Sequence, residues 1–249
     1  MERKKIILIL KNDIDHNIGT IDFMHQHFTN CSIDIVFLDY PIKKSEKRIG
    51  DHFKNLITTS KQYYDSSNKY RLAQSEPLSS GAFNLAIDYY DLLVTDESDY
   101  ENVRKIVSTE NLNNVFLPLL IIPITGQKFK DVVFLSTRSE NTMVAFKKFC
   151  YLFPAICKDG DSLLLRFMDN SKDGLTVDEE KLLFEYLKTK CSNLSIHKVH
   201  GELQSADKKV INLSEKTLFV VDNPGFNLKK WIGTNKSTNS PYALFSLSA

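Results

Sequence analysis

Apolar positions along this chain switch between two periods. Residues 5–10 form an unbroken apolar run after Lys5 and read as a buried strand, whereas Ile18, Ile21, Met24 or His25, and Phe28 recur three or four apart, the spacing of one helix face. The switch then repeats. Residues 32–39 (SIDIVFLD) predict a second strand, and Ile49, Phe53, Leu56, Ile57 and Tyr64 a second helical face. Residues 69–75 predict a third, more polar strand nearer a sheet edge, residues 79–87 a short helix, and residues 90–95 (YDLLVT) a fourth strand. Ser98 and Glu101 have the spacing of a capping box for a helix with Tyr100, Val103, Ile106 and Val107 on its inner face, and residues 117–122 predict a fifth strand.

After a polar hinge containing Gly126 the order restarts. Residues 132–136, 162–169, 195–200, 217–221 and 241–247 predict five more strands. Met143, Phe146, Cys150 and Phe153 make one helical face between them, and Leu183, Tyr186 and Leu187 make another behind a cap at Thr176 and Glu179. Strand ends correspond between the halves: Phe37-Leu38-Asp39 with Phe167-Met168-Asp169, Val94-Thr95-Asp96 with Val220-Val221-Asp222, and Pro118 with Pro241. Strands alternating with helices require parallel sheets joined by right-handed crossovers. The expected fold is therefore α/β, with two tandem Rossmann-like domains at residues 1–126 and 127–249, each a five-stranded parallel doubly wound sheet. Solenoid repeats run to only ~20–50 residues, so this repeat is a pair of domains.

Composition then removes several function classes. A net charge of +1, with a slightly acidic first half and a slightly basic second half, leaves no basic stripe for nucleic acid. The basic start at Arg3, Lys4 and Lys5 leads into an apolar run too short for a signal peptide or a spanning helix, so a cytoplasmic location without a membrane partner is expected. Cys31, Cys150, Cys157 and Cys191 contain no CxxC pair and are expected as buried reduced thiols, Cys150 and Cys157 sharing one helical face. His25 and His27 point to different faces, as do His197 and His200, and neither pair has metal-ligand geometry. Trp231, with Leu228 and Ile232, suits helix–sheet packing. No G-x-S-x-G, Walker loop or HExxH occurs, so neither catalysis nor a metal nor a cofactor is expected.

The order of elements, the length of each half and the ends of strands four and five resemble the universal stress protein family in its tandem form. The resemblance extends over essentially the whole chain. It rests on the fourth strand, turn, helix and proline-started fifth strand of each half, and on Ser139-Glu140-Asn141-Thr142 after the first strand of the second half. It implies an adenine nucleotide alpha hydrolase-like sheet of order 3-2-1-4-5. It also implies that the fifth strands pair, one running from Leu117 to Ile122 and the other from Tyr242 to Leu247, and it leaves room for a homodimer and an unidentified protein partner.

Nucleotide-binding members of that family carry an aspartate at the end of strand one and a Gly-x2-Gly-x9-Gly-Ser/Thr loop after strand four. Glycines there bring amide hydrogens close to phosphate at a helix start. Here Lys11 and Thr137 stand at the aspartate positions. In the second half Asp222-Asn223-Pro224-Gly225 and a shortened spacer precede Gly233-Thr234, and the first half has Asp96-Glu97-Ser98-Asp99 with no glycine until Gly126. A carboxylate ~4 Å from a phosphate charge is repelled by about 1 kcal/mol in bulk water and about 4 kcal/mol at an effective dielectric near 20.

Ligands of open doubly wound sheets bind where the strand order reverses. The residues predicted there are Lys11, Asn12, Asp13 and Asp96 in the first half, and Thr137, Arg138, Ser139, Asp222, Asn223 and Gly225 in the second, with Gly233 and Thr234 completing a vestigial nucleotide site. Arg138 beside Ser139 could hold an anion. The plainer alternative is that these residues cap strands and helices, Asp96 and Asp222 serving as N-caps. The expected function is a non-catalytic, stress-related interaction or small-ligand-sensing module without the standard ATP site. The alternative is an ATP- or AMP-binding stress protein using only its second half. An enzyme of the wider hydrolase-like group would need a phosphate loop early in a half, which residues 11–19 and 137–143 do not provide.

Overall fold

The computed structural model describes residues 3–11, 13–38, 46–61, 67–72, 89–100, 102–103, 117–123, 129–136, 141–167, 177–199, 216–221 and 243–247. The chain divides into two compact units, Met1–Lys128 with Ser248–Ala249, and Phe129–Leu247. The first unit contains strands β1 (Lys5–Leu10), β2 (Ser32–Phe37), β3 (Lys69–Leu72), β4 (Leu92–Asp96) and β5 (Pro118–Ile122), with helices α1 (Ile14–His27) and α2 (Glu46–Lys61). Its strands pair in parallel in the order β3-β2-β1-β4-β5.

β1 lies between β2 and β4, where both faces of a strand are covered, and this is why its sequence is an unbroken apolar run rather than an alternating one. Ile6, Leu8, Ile9 and Leu10 are completely buried. β3, at the end of the order, keeps partial exposure along its length. Asp34 is a buried carboxylate in β2, and its register partner on β3 is Arg71. Arg71 Nε donates to Asp34 Oδ1 at 2.9 Å and the Tyr90 hydroxyl donates to Oδ2 at 2.7 Å, which satisfies a charge that would otherwise be costly to bury. Buried Asn68 accepts from the Cys31 N–H at 2.9 Å and donates to the Phe28 carbonyl at 2.9 Å, tying the end of α1 to the start of β2.

The second unit contains β6 (Asp131–Ser136), β7 (Asp161–Phe167), β8 (Asn193–Val199), β9 (Thr217–Val221) and β10 (Ala243–Leu247), with helices α3 (Thr142–Leu152), α4 (Pro154–Asp159) and α5 (Val177–Lys190). Its parallel order is β8-β7-β6-β9-β10, so β6 holds the central place that β1 holds in the first unit. Phe149 organises its core. The ring lies 5.5 Å from Phe134, 5.0 Å from Phe153 and 5.3 Å from Phe245 between centroids, joining α3 to β6 and β10. Aromatic pairs of this kind add ~0.5–1.5 kcal/mol each beyond the area they bury.

Several expectations change. The helical face drawn from Met143 through Phe153 ends at Leu152, and Pro154 opens a separate helix, because proline has no N–H to continue the ladder and suits a first helical position. Cys150 and Cys157 therefore stand on successive helices and do not share a face of one helix. The second strand ends at Phe37, the eighth begins two residues earlier than expected, at Asn193, and residues 73–75 of the expected third strand lie outside the described residues. The helix predicted over 79–87, the packing of Trp231 and the cap at Thr176 lie outside the described residues. Among the described residues no helix is long and apolar enough to cross a membrane.

Candidate functional site

The strand order of the first unit reverses between β1 and β4, and the carboxyl ends of these strands form its candidate site. Ile9 is paired with Thr95, so Lys11 leaves β1 beside the turn that follows Asp96. An aspartate at a strand end, followed by polar residues, folds back on its own backbone. Asp96 Oδ1 accepts from the Ser98 N–H at 2.7 Å, from the Asp99 N–H at 3.1 Å and from the Ser98 hydroxyl at 2.6 Å. The Asp99 carbonyl then accepts from the N–H groups of Asn102 and Val103 at 3.0 and 2.9 Å, which starts the first helical turn. Asp96 thus holds the turn that leads into this helix, and Glu101, the other half of the box expected with Ser98, lies outside the described residues. The Ser98 hydroxyl is engaged by the Asp96 carboxylate on one side and accepts from Lys11 Nζ at 2.8 Å on the other.

Lys11 Nζ also lies 2.7 Å from Asp99 Oδ1. Asp96 and Asp99 are both completely buried, while about a third of the Lys11 side chain (32%) reaches solvent. Burial pushes the Asp99 carboxyl up to about 6; the Lys11 ammonium opposes that shift and the neighbouring Asp96 charge adds to it. Asn17, fully buried on α1, donates from Nδ2 to the Lys11 carbonyl at 2.7 Å and so fixes the backbone from which the lysine projects. Asp13 is exposed, and its carbonyl accepts from the Asn17 N–H at 3.1 Å, beginning α1.

This arrangement has a definite chemistry. The amide donors that a phosphate would need at the turn after β4 are already used by Asp96, and the nearby ammonium is already paired with Asp99. Sequence reasoning picked out Lys11 and the carboxylates separately and did not join them. The signal that could have joined them was reciprocal: a cation stands where an aspartate is expected after strand one, and carboxylates stand where glycines are expected after strand four.

Of the residues predicted for the first-half crevice, Lys11 and Asp96 come together through Ser98 and Asp99, Asp13 is displaced to the start of α1, and Asn12 lies outside the described residues. In the second unit Thr137, Arg138, Ser139, Asp222, Asn223, Gly225, Gly233 and Thr234 all lie outside the described residues. What frames that position is the end of β6 at buried Ser136, the start of α3 at buried Thr142 and the end of β9 at Val221.

A second cluster was not foreseen. Cys150 on α3, Cys157 on α4 and Cys191 immediately after α5 are all buried, and their sulfurs lie within 4.8 Å of one another. Cys157 donates to Cys150 across 3.7 Å. These three are the residues among those described that form a group able to hold a metal ion. In the sequence Cys191 lies a whole strand and helix beyond Cys157, so no local pattern joins it to the other two.

No protein-family model matches the chain, and no curated protein sequence matches it. Solved structures do. The cytoplasmic domain of a prokaryotic cation chloride cotransporter superposes with a TM-score of 0.53 at 9% identity, covering 99% of this chain and 95% of that one. A universal stress protein from Archaeoglobus fulgidus DSM 4304 superposes with a TM-score of 0.59 at 11% identity, covering 97% of each chain. At these identities the likeness shows the fold: a mostly parallel, Rossmann-like α/β architecture of the universal stress protein type.

Proposed function

We propose that this chain is a non-catalytic, universal stress protein-like module that acts through interaction or small-ligand sensing, without an ATP site in its first unit. The observation that carries the reading is the turn after β4, where Asp96 Oδ1 takes the N–H groups of Ser98 and Asp99 while Lys11 pairs with Asp99. A triphosphate entering there would have to break three hydrogen bonds and an ion pair, and would then face two buried carboxylates. At ~4 Å each would repel a phosphate charge by about 1 to 4 kcal/mol, depending on the local dielectric, and a few such terms outweigh most of the ~8 kcal/mol of a micromolar complex. The fold neighbours support the same reading from another side. One is a universal stress protein and the other a cytoplasmic domain of a cotransporter, so one architecture occurs in quite different settings.

In this reading the two units also pair through β5 and β10, each the terminal strand of its own unit's order, as the family resemblance implies. Pairing would protect two strand edges that otherwise invite association with other chains.

Calorimetric titration of the full chain with ATP and AMP, with and without magnesium, tests the nucleotide part. The expected result is no binding at micromolar affinity. Micromolar binding that survives Asp96→Ala and disappears in Gly233→Asp would replace this reading with a nucleotide site in the second unit. Micromolar binding that disappears in Lys11→Ala would overturn it for the first unit.

A further inference from the structure

Buried cysteines usually act as small hydrophobes, and a single one would call for nothing more. Three from separate elements, with all sulfurs mutually within 4.8 Å, are a different arrangement. Each is held by its backbone. The Cys157 N–H donates to the Phe153 carbonyl at 3.3 Å, the Cys191 N–H to the Leu187 carbonyl at 2.8 Å, and the Ser192 N–H to the Cys157 carbonyl at 3.2 Å, so the end of α5 is tied directly to α4. Cys150 sits within α3, whose neighbouring Phe149 is locked into the aromatic core. Ligands held by regular elements and a packed surround are what a precise coordination site requires.

We propose that Cys150, Cys157 and Cys191 form a buried trigonal thiolate site for one soft d10 cation, Cu(I). The spacing suits an ion. Thiolates bound at ~2.3 Å lie about 4 Å apart around a three-coordinate ion and about 3.8 Å apart around a tetrahedral one, and the Cys150 and Cys157 sulfurs are separated by 3.7 Å. The number of ligands decides which ion. Zn(II) in a closed site takes four protein ligands, and among the described residues no histidine, aspartate, glutamate or fourth cysteine joins the three. Soft thiolate sets select Cu(I), which is content with three.

Hydrogen bonds from Cys150 and Cys157 hold the Cys191 thiol below its usual range, against the opposing effect of burial. Hydrogen bonds to its two partners, together with burial, push Cys157 up. Cys150 is pulled down by the Cys157 hydrogen bond but raised more by Cys191 and by burial. Uptake of Cu(I) by all three sulfurs forms three S–Cu bonds and releases the thiol protons to solvent, so affinity rises with pH. The Lys190 ammonium, next to Cys191 in the chain, acts on the cluster with positive charge.

The test is anaerobic titration of the reduced full-length chain with Cu(I) against a chromophoric chelator, followed by X-ray absorption on the one-equivalent sample. One equivalent held by three sulfurs at ~2.3 Å is expected. Cys31→Ser, in the other unit, should leave the binding intact, and Cys191→Ser should lose it. Absorption on the unsubstituted chain decides the coordination even if Cys191→Ser fails to fold. Copper lost to the chelator, copper bound through fewer than three sulfurs, unchanged binding in Cys191→Ser, or zinc held in preference to copper would each overturn the proposal.

Discussion

Asp99 carries the sharpest consequence at the scale of single residues. Burial raises its carboxyl to about 6 in the folded chain, above the ~3.9 of an unfolded aspartate. The folded state therefore binds the proton more tightly. This group favours folding fully below about pH 4, and its contribution fades as pH rises through about 6. Chemical denaturation between pH 4 and 8 should show that component in the parent chain, and Asp99→Asn should flatten it; a variant with the parent's slope would remove Asp99 as its source. Lys11→Met tests the partner. It leaves Asp99 buried without its cation, and the cost should be about 2 kcal/mol, below the ~3–5 kcal/mol typical of fully buried pairs because Lys11 is partly solvated. Denaturant midpoints at pH 7 measure it, and the loss should shrink at pH 4, where Asp99 is protonated.

At the scale of elements, the turn from α4 into β7 depends on a missing side chain. A Cβ on Gly160 would overlap the Lys130 carbonyl and lie 2.7 Å from the Ile156 carbonyl, and backbone cannot move aside as a flexible side chain would. Gly160→Ala should therefore cost about 1–3 kcal/mol, read as a fall in thermal midpoint. Gly50, with nothing near its Cβ position, is the control, and Gly50→Ala in α2 should stabilise slightly.

Element types were legible in the sequence wherever burial on both faces demanded continuous apolar runs, as in β1, β4, β6 and β9. The α3–α4 break was legible in principle, since Pro154 announces it, but the apolar face through Phe153 hid it. Asp96 and Ser98 are both good turn residues within two positions, so the sequence offers each as a cap, and the Asp96 carboxylate accepts from the N–H groups of Ser98 and Asp99.

At the scale of the whole molecule, the proposed pairing of β5 with β10 makes a prediction about cooperativity. Leu120→Pro removes a ladder donor from β5. If the strands pair, hydrogen exchange should show lost amide protection over residues 243–247 as well as 117–122. Undisturbed protection over 243–247 would dismiss the pairing.

The sequence by itself determined the alternation of strand and helix and the parallel α/β class. Both are written in local periodicity, which acts within a dozen residues. Only the tertiary structure decided how distant polar residues meet. Lys11 and Asp99 are brought to 2.7 Å by the pairing of β1 with β4, and three cysteines drawn from α3, α4 and the end of α5 converge beside one another. Such contacts follow from the register and packing of the assembled unit, which no local pattern encodes.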